Sequence, residues 1–138
     1  MKRTILVLVL LSITSLWSCE GSKADDKKAP AGVDKSPAKV TFIELGSVNC
    51  IPCKAMQPVM KAIEEKYGDQ IKVVFYDVWK ADQKKYAEQY KIRLIPTQVF
   101  LDAGGAEIFR HEGFYAEEEI DKLLQSHGLK PLKKETKT

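Results

Sequence analysis

The sequence is short of the residues that build metal sites. It holds three cysteines and two histidines in 138 residues. Structural zinc usually takes four ligands. Cys50-Ile51-Pro52-Cys53 has no second C-x-x-C to complete such a set, and His111 and His127 stand at unhelpful spacing. Neither a metal nor another cofactor is expected. Charge of one sign is lacking too. The formal charge is +3, and two of the positive charges, Lys2 and Arg3, sit at the extreme N-terminus. The near-neutral remainder has no long-range field to hold nucleic acid. No uninterrupted apolar run reaches the roughly 20 residues that a membrane-spanning helix needs. Internal repeats are absent. The length suits one domain of ordinary size, and a monomer is expected.

What is present begins with a leader. Lys2 and Arg3 precede an apolar run from Ile5 to Leu11, continued by Ile13 and Leu16. Residues 1–18 therefore read as a signal peptide. Leu16-Trp17-Ser18-Cys19 resembles a bacterial lipoprotein signal, which implies lipidation at Cys19. Trp17 departs from that pattern, where a small residue is usual. An uncleaved anchor helix and ordinary secretory cleavage remain open as alternatives. Multiple acyl chains would hold the chain to a membrane, because each buried CH₂ contributes roughly 0.8 kcal/mol.

Residues 19–38 are polar, carry Lys, Asp, Pro and Gly, and show no hydrophobic period. They are expected to form a flexible tether. A folded domain is expected over 39–128, followed by a Lys-rich tail over 129–138. Within the domain, Val40 to Leu45 is apolar enough for a strand buried on both faces. Met56, Val59, Met60, Ile63 and Tyr67 recur at helical spacing and predict a helix over 52–67, stopped by Gly68-Asp69. Ile71 to Tyr76 reads as a second strand and 81–90 as a polar helix. Thr97 to Leu101 and 106–110 read as a hairpin around Asp102-Ala103-Gly104-Gly105. A last helix is expected over 116–127, with Ile120, Leu123, Leu124 and His127 as its stripe. The order β-α-β-α-β-β-α implies an α/β fold: a four-stranded mixed sheet with helices on both faces.

The chemistry lies at Cys50 and Cys53, placed after a buried strand and at a helix start. Unpaired N–H groups and a partial positive charge there stabilise a thiolate. Pro52 suits a first helical turn. Cys50, nearest the loop, is expected to be the exposed nucleophile, and Cys53, one turn in, the shielded resolving thiol. So short a loop would make a weak structural staple. Glu44, six residues before Cys50, puts a carboxyl inside an apolar strand. Burial there would raise its pKa and let it serve as a base near neutral pH; a solvated edge-strand glutamate is the alternative. His111, Lys54, Tyr76 and Trp79 have plain structural or solvent-facing explanations.

These motifs resemble the thioredoxin family over about 90 residues. The family's W-C-G-P-C-K appears as Asn49-Cys50-Ile51-Pro52-Cys53-Lys54, and its helix proline as Pro58. Its I-P-T, with a cis proline facing the active site, appears as Ile95-Pro96-Thr97 after Tyr90-Lys-Ile-Arg-Leu. Gly113 matches the family's glycine after the hairpin. The resemblance implies a minimal thioredoxin fold, without the family's first strand and first helix. It also implies thiol–disulfide oxidoreductase activity and a base at Glu44. Substrate would bind along Ile95 and Pro96, beside Asn49, Ile51 and Pro52, pairing as an added strand. Asn49 and Ile51 depart from the family's tryptophan and glycine and alter that contact.

The expectation is an extracytoplasmic, lipid-anchored enzyme that reduces protein disulfides. Its electrons would come from a membrane thiol donor. A disulfide-forming oxidant and a redox-inert adaptor or chaperone are the rival readings.

Overall fold

The computed structural model describes residues 38–132. The leader, Cys19, the tether through residue 37 and residues 133–138 lie outside the described residues. The sheet is built around β1 (Val40–Gly46), which pairs in parallel with β2 (Ile71–Asp77) and antiparallel with β3 (Thr97–Asp102). β4 (Glu107–Glu112) pairs antiparallel with β3, so the strand order is β2-β1-β3-β4. With partners on both edges and helices on both faces, all seven residues of β1 are buried. Its continuous apolar run is the signature of that position.

Alternation along β1 divides the core. Val40 and Phe42 face α1 (Ile51–Tyr67) and α3 (Glu117–Ser126), where Met56, Met60, Ile63, Tyr67, Ile120 and Leu124 close the larger cluster. Phe42 stacks on its cross-strand partner Phe100 at 4.7 Å. Ile43 and Leu45 face the opposite side, towards α2 (Lys85–Gln89) and Tyr90. The mixed four-stranded sheet and the element order expected from the sequence are both present.

Three local expectations change. The second helix covers Lys85–Gln89 rather than 81–90. The Gln83 side chain accepts the Asp77 N–H at 2.8 Å, and Asp77 Oδ1 accepts the Trp79 N–H at 3.2 Å. These side chains give the backbone an alternative to helix, and it takes turns instead. His127 does not continue the α3 stripe; it follows the last helical residue and is exposed.

Packing also runs past Gly128, where the domain was expected to end. Leu129 is 2% exposed, and the Leu132 N–H donates to Lys66 O at 2.8 Å. Gln70 brackets Lys130 from both sides, at 2.7 Å to its carbonyl and 3.1 Å from its N–H. A two-leucine stretch is too short to show periodicity, so its burial was invisible in the sequence. Lys66, bound to Glu117 and Asp121, ties α1 to α3 beside this segment. Among the described residues, no helix is long and apolar enough to cross a membrane.

Removing a buried leucine costs about 2–5 kcal/mol. Leu129→Ala should therefore lose about 2 kcal/mol or more of unfolding free energy in urea, and the half-exposed Leu132→Ala much less. Equally small losses from both would show that this segment is not part of the core.

Candidate active site

β1 ends at Gly46, and Ser47, Val48 and Asn49 lead straight into the start of α1. Cys50 is the cap of that helix, with extended backbone (φ −95°, ψ 126°), and its Sγ accepts the Cys53 N–H at 3.4 Å. The Cys50 N–H is held by Ser47 O at 3.1 Å. Pro52 sits in the first turn, where a missing N–H has no partner to lose. Pro58, inside the helix, is exposed, so the bond it removes faces solvent.

Cys50 and Cys53 are joined in a disulfide, with Cα atoms 5.2 Å apart. Cys50 is 8% exposed and Cys53 wholly buried. Cys50, expected to be exposed, is instead buried in the disulfide form and shows only an edge, although it is less covered than Cys53. The exposed surface around it comes from its neighbours. Ile51 is 83% exposed, and Asn49 and Pro52 are exposed as well.

The turn before β3 completes the rim. The Ile95–Pro96 peptide is cis. Pro96 is buried, and its carbonyl accepts the Gly113 N–H at 2.8 Å. The Thr97 hydroxyl donates to Leu94 O at 2.7 Å, and Arg93 grips Glu112 at 2.8 and 3.1 Å. Trp79, for which a structural role was the leading explanation, is instead 63% exposed. It follows Val78, whose N–H bonds Gly46 O at 2.9 Å, so it stands near the same end of the sheet. Tyr76, on the other face, stacks on Tyr86 and belongs to the smaller core cluster. Val48 and Leu94 are further exposed apolar side chains at this end.

Behind the disulfide lies Glu44. It is wholly buried on the central strand, which removes the alternative of a solvated edge residue. Its Oε2 accepts a hydrogen bond from Gln98 Nε2 at 2.8 Å, and its Oε1 has no partner among the described residues. Burial pushes its pKa up to about 8, against the Gln98 hydrogen bond, which favours the charged form. Gln98 is itself wholly buried. The sequence reading passed over it, although a glutamine inside the buried run Thr97 to Leu101 was a visible signal. His111 stacks on Tyr115 at 4.3 Å and lies opposite Gln98 on β4; it is half-buried rather than freely solvated.

Residues 25–128 match the family description of a thioredoxin-like domain. The chain belongs to the thioredoxin-like family. The thioredoxin-like domain is 31% identical over 78 residues to a thioredoxin of Bacillus subtilis (strain 168), covering 56% of this chain and 72% of that one. Against the chloroplastic thioredoxin Y of Oryza sativa subsp. japonica it is 30% identical over 91 residues, 64% of this chain and 51% of the relative. The chain thus spans only about half of that second relative. A mutant thioredoxin from Halobacterium salinarum NRC-1 shares the fold with a TM-score of 0.58 at 25% identity, over 67% of this chain and 77% of that one. Family membership and the bonded Cys50–Cys53 pair make this protein a thiol–disulfide oxidoreductase.

The folded disulfide form holds the Glu44 proton up to about pH 8, whereas the unfolded chain releases it near 4.5. Rising pH therefore favours unfolding across that window. At about 1.4 kcal/mol per pKa unit, the disulfide form should lose a few kcal/mol between about pH 5 and pH 8. Glu44→Gln should flatten this slope, as read from denaturant unfolding at the two pH values. A parent already flat over the window would show that water reaches the carboxyl.

Proposed function

We propose that this protein reduces protein disulfides outside the cytoplasm, tethered to a membrane through lipid on Cys19. The observation that carries the chemistry is the cysteine pair at a helix start, with an apolar rim in front of it and a buried carboxyl behind. The Cys50 thiolate, stabilised by the helix start and the Cys53 N–H, attacks one sulfur of a substrate disulfide. A Cys50–substrate bond forms, the substrate S–S bond breaks, and one substrate sulfur leaves as a thiolate that takes a proton from water. Cys53 then gives its proton to Glu44 in its ionised form, leaving the carboxyl protonated, and attacks Cys50 Sγ. The Cys50–Cys53 bond forms, the mixed disulfide breaks, and the second substrate sulfur leaves with the electron pair. Two electrons pass to the substrate, and a membrane thiol donor restores the dithiol.

Ile51, Trp79, Val48 and Leu94 favour a protein substrate with apolar residues beside its disulfide. Asn49 and Pro52 border the same opening, and the substrate chain runs along Ile95 and Pro96. The reducing direction is supported by Ile95-Pro96-Thr97, which resembles that of reducing thioredoxins. It is supported also by the residues between the cysteines. A strong oxidant needs its reduced thiolate heavily stabilised, and Ile51 and Pro52 bring no charge. Export is supported by the leader and by Leu16-Trp17-Ser18-Cys19.

Equilibrated against glutathione, the domain should show a potential nearer the thioredoxin value of about −270 mV than the strong-oxidant value of about −120 mV. A potential above about −150 mV would replace the reductase reading with that of a disulfide-forming oxidant. For the anchor, the full chain expressed in a bacterium with labelled fatty acid should take up label, and Cys19→Ser should not. Equal label in both would exclude lipid at Cys19.

A further inference from the structure

Glu44 and Gln98 are cross-strand partners on β1 and β3, and both are wholly buried. A carboxyl and an amide in an apolar interior are costly unless their hydrogen bonds are made. One is made, from Gln98 Nε2 to Glu44 Oε2 at 2.8 Å. It fixes which carboxyl oxygen stays unpaired, and that oxygen is Oε1.

The place Oε1 occupies is defined by Gly46. A Cβ on Gly46 would lie 3.2 Å from Glu44 Oε1, 3.2 Å from Cys53 Sγ and 3.1 Å from Cys53 Cβ. Gly46 is not among the glycines with positive φ, so its backbone does not call for glycine. The space does. A side chain there would press on both the carboxyl oxygen and the sulfur.

We propose that Gln98 and Gly46 are positioning residues for the second step of disulfide exchange. Gln98 holds Oε2 and so turns Oε1 towards the gap at Gly46, where it meets the proton of Cys53. This rests on the reading of Glu44 as the proton acceptor. The proton leaves Cys53 Sγ for Glu44 Oε1, while Oε2 keeps its bond from Gln98. The thiolate so formed attacks Cys50 Sγ, and the substrate sulfur departs with the electrons of the broken bond. When a dithiol donor next reduces the pair, Cys53 recovers a proton. The titratable groups placed around Glu44 among the described residues are Cys53 on α1, across the gap at Gly46, Asp77 opposite Gly46 on β2, and His111 opposite Gln98 on β4. Asp77 and His111 are common to every variant below, so differences between pH profiles report on Glu44.

The test uses the full chain carrying Cys19→Ser, so that Cys50 and Cys53 are its two thiols, reduced, in stopped flow with dithiobis-nitrobenzoate, whose thiolate absorbs visible light. The first thiolate released reports attack by Cys50. The second reports attack by Cys53 on the mixed disulfide. Gln98→Leu and Gly46→Ala should each slow the second release about tenfold or more relative to the first at pH 7. In Gln98→Leu the pH midpoint of the second release should also move up, because the bond that favours the charged carboxyl is gone. In a Glu44→Gln background neither substitution should slow it further. A second release that keeps pace with the first in both variants would overturn the positioning roles, and so would slowing that persists undiminished in the Glu44→Gln background. If Glu44→Gln alone leaves the second release unchanged across pH 6–8, the base assignment itself falls.

Discussion

The burial of β1 on both faces governs the rest of the molecule. A strand with partners on each side and helices above and below has no water along its length. Phe42 and Leu45 gain from that exclusion, while Glu44 loses by it, since a carboxylate without solvation reverts to its acid form. The loss is tempered by one hydrogen bond from Gln98, itself displaced from water for the same reason. The strand that organises the two core clusters thus also carries a buried carboxyl, and it ends just before the redox disulfide.

That coupling explains the arrangement of the active end. A parallel crossover from β1 to β2 usually runs through a helix, and here that helix begins a few residues after β1 stops. Its positive end therefore lies over the C-terminal edge of the central strand, with Cys50 as its cap. β3 enters beside it through the cis Ile95–Pro96 turn, and Gly113 pins that turn from beyond β4. Cys53 is sealed below, and Ile51, Trp79 and Leu94 stand out above. Sealing the second sulfur makes a proton acceptor inside the protein valuable, because water cannot take the proton there. On the proposed mechanism, a stability cost at Glu44 and a rate gain at Cys53 follow from one dry environment.

The chain's own pattern made the strands, α1, the hairpin, the cysteine pair and the proline turn legible. Each is written in neighbours along the chain: periods of two or of three and four, a proline in a first turn, glycines at a hairpin tip. Glu44 was legible as a charge in an apolar run, with the burial and raised pKa that this implies, but its partner Gln98 was not. α2 was read too long because its polar residues carry no stripe, and the turn that shortens it depends on Gln83 and Asp77 bonding across the loop. His127 matched the α3 period, yet the helix ended before reaching it.

By itself, the sequence determined the order of the elements and the reactive pair, since both depend on residues a few positions apart. Tertiary structure decided what surrounds the pair. Gln98 meets Glu44 from 54 residues away only because β1 and β3 adopt one register. Gly46 separates a carboxyl from a sulfur only after α1 folds back over β1. Trp79 faces solvent, and Leu129 does not, for the same reason: burial is a property of packing between elements, and no local period encodes it.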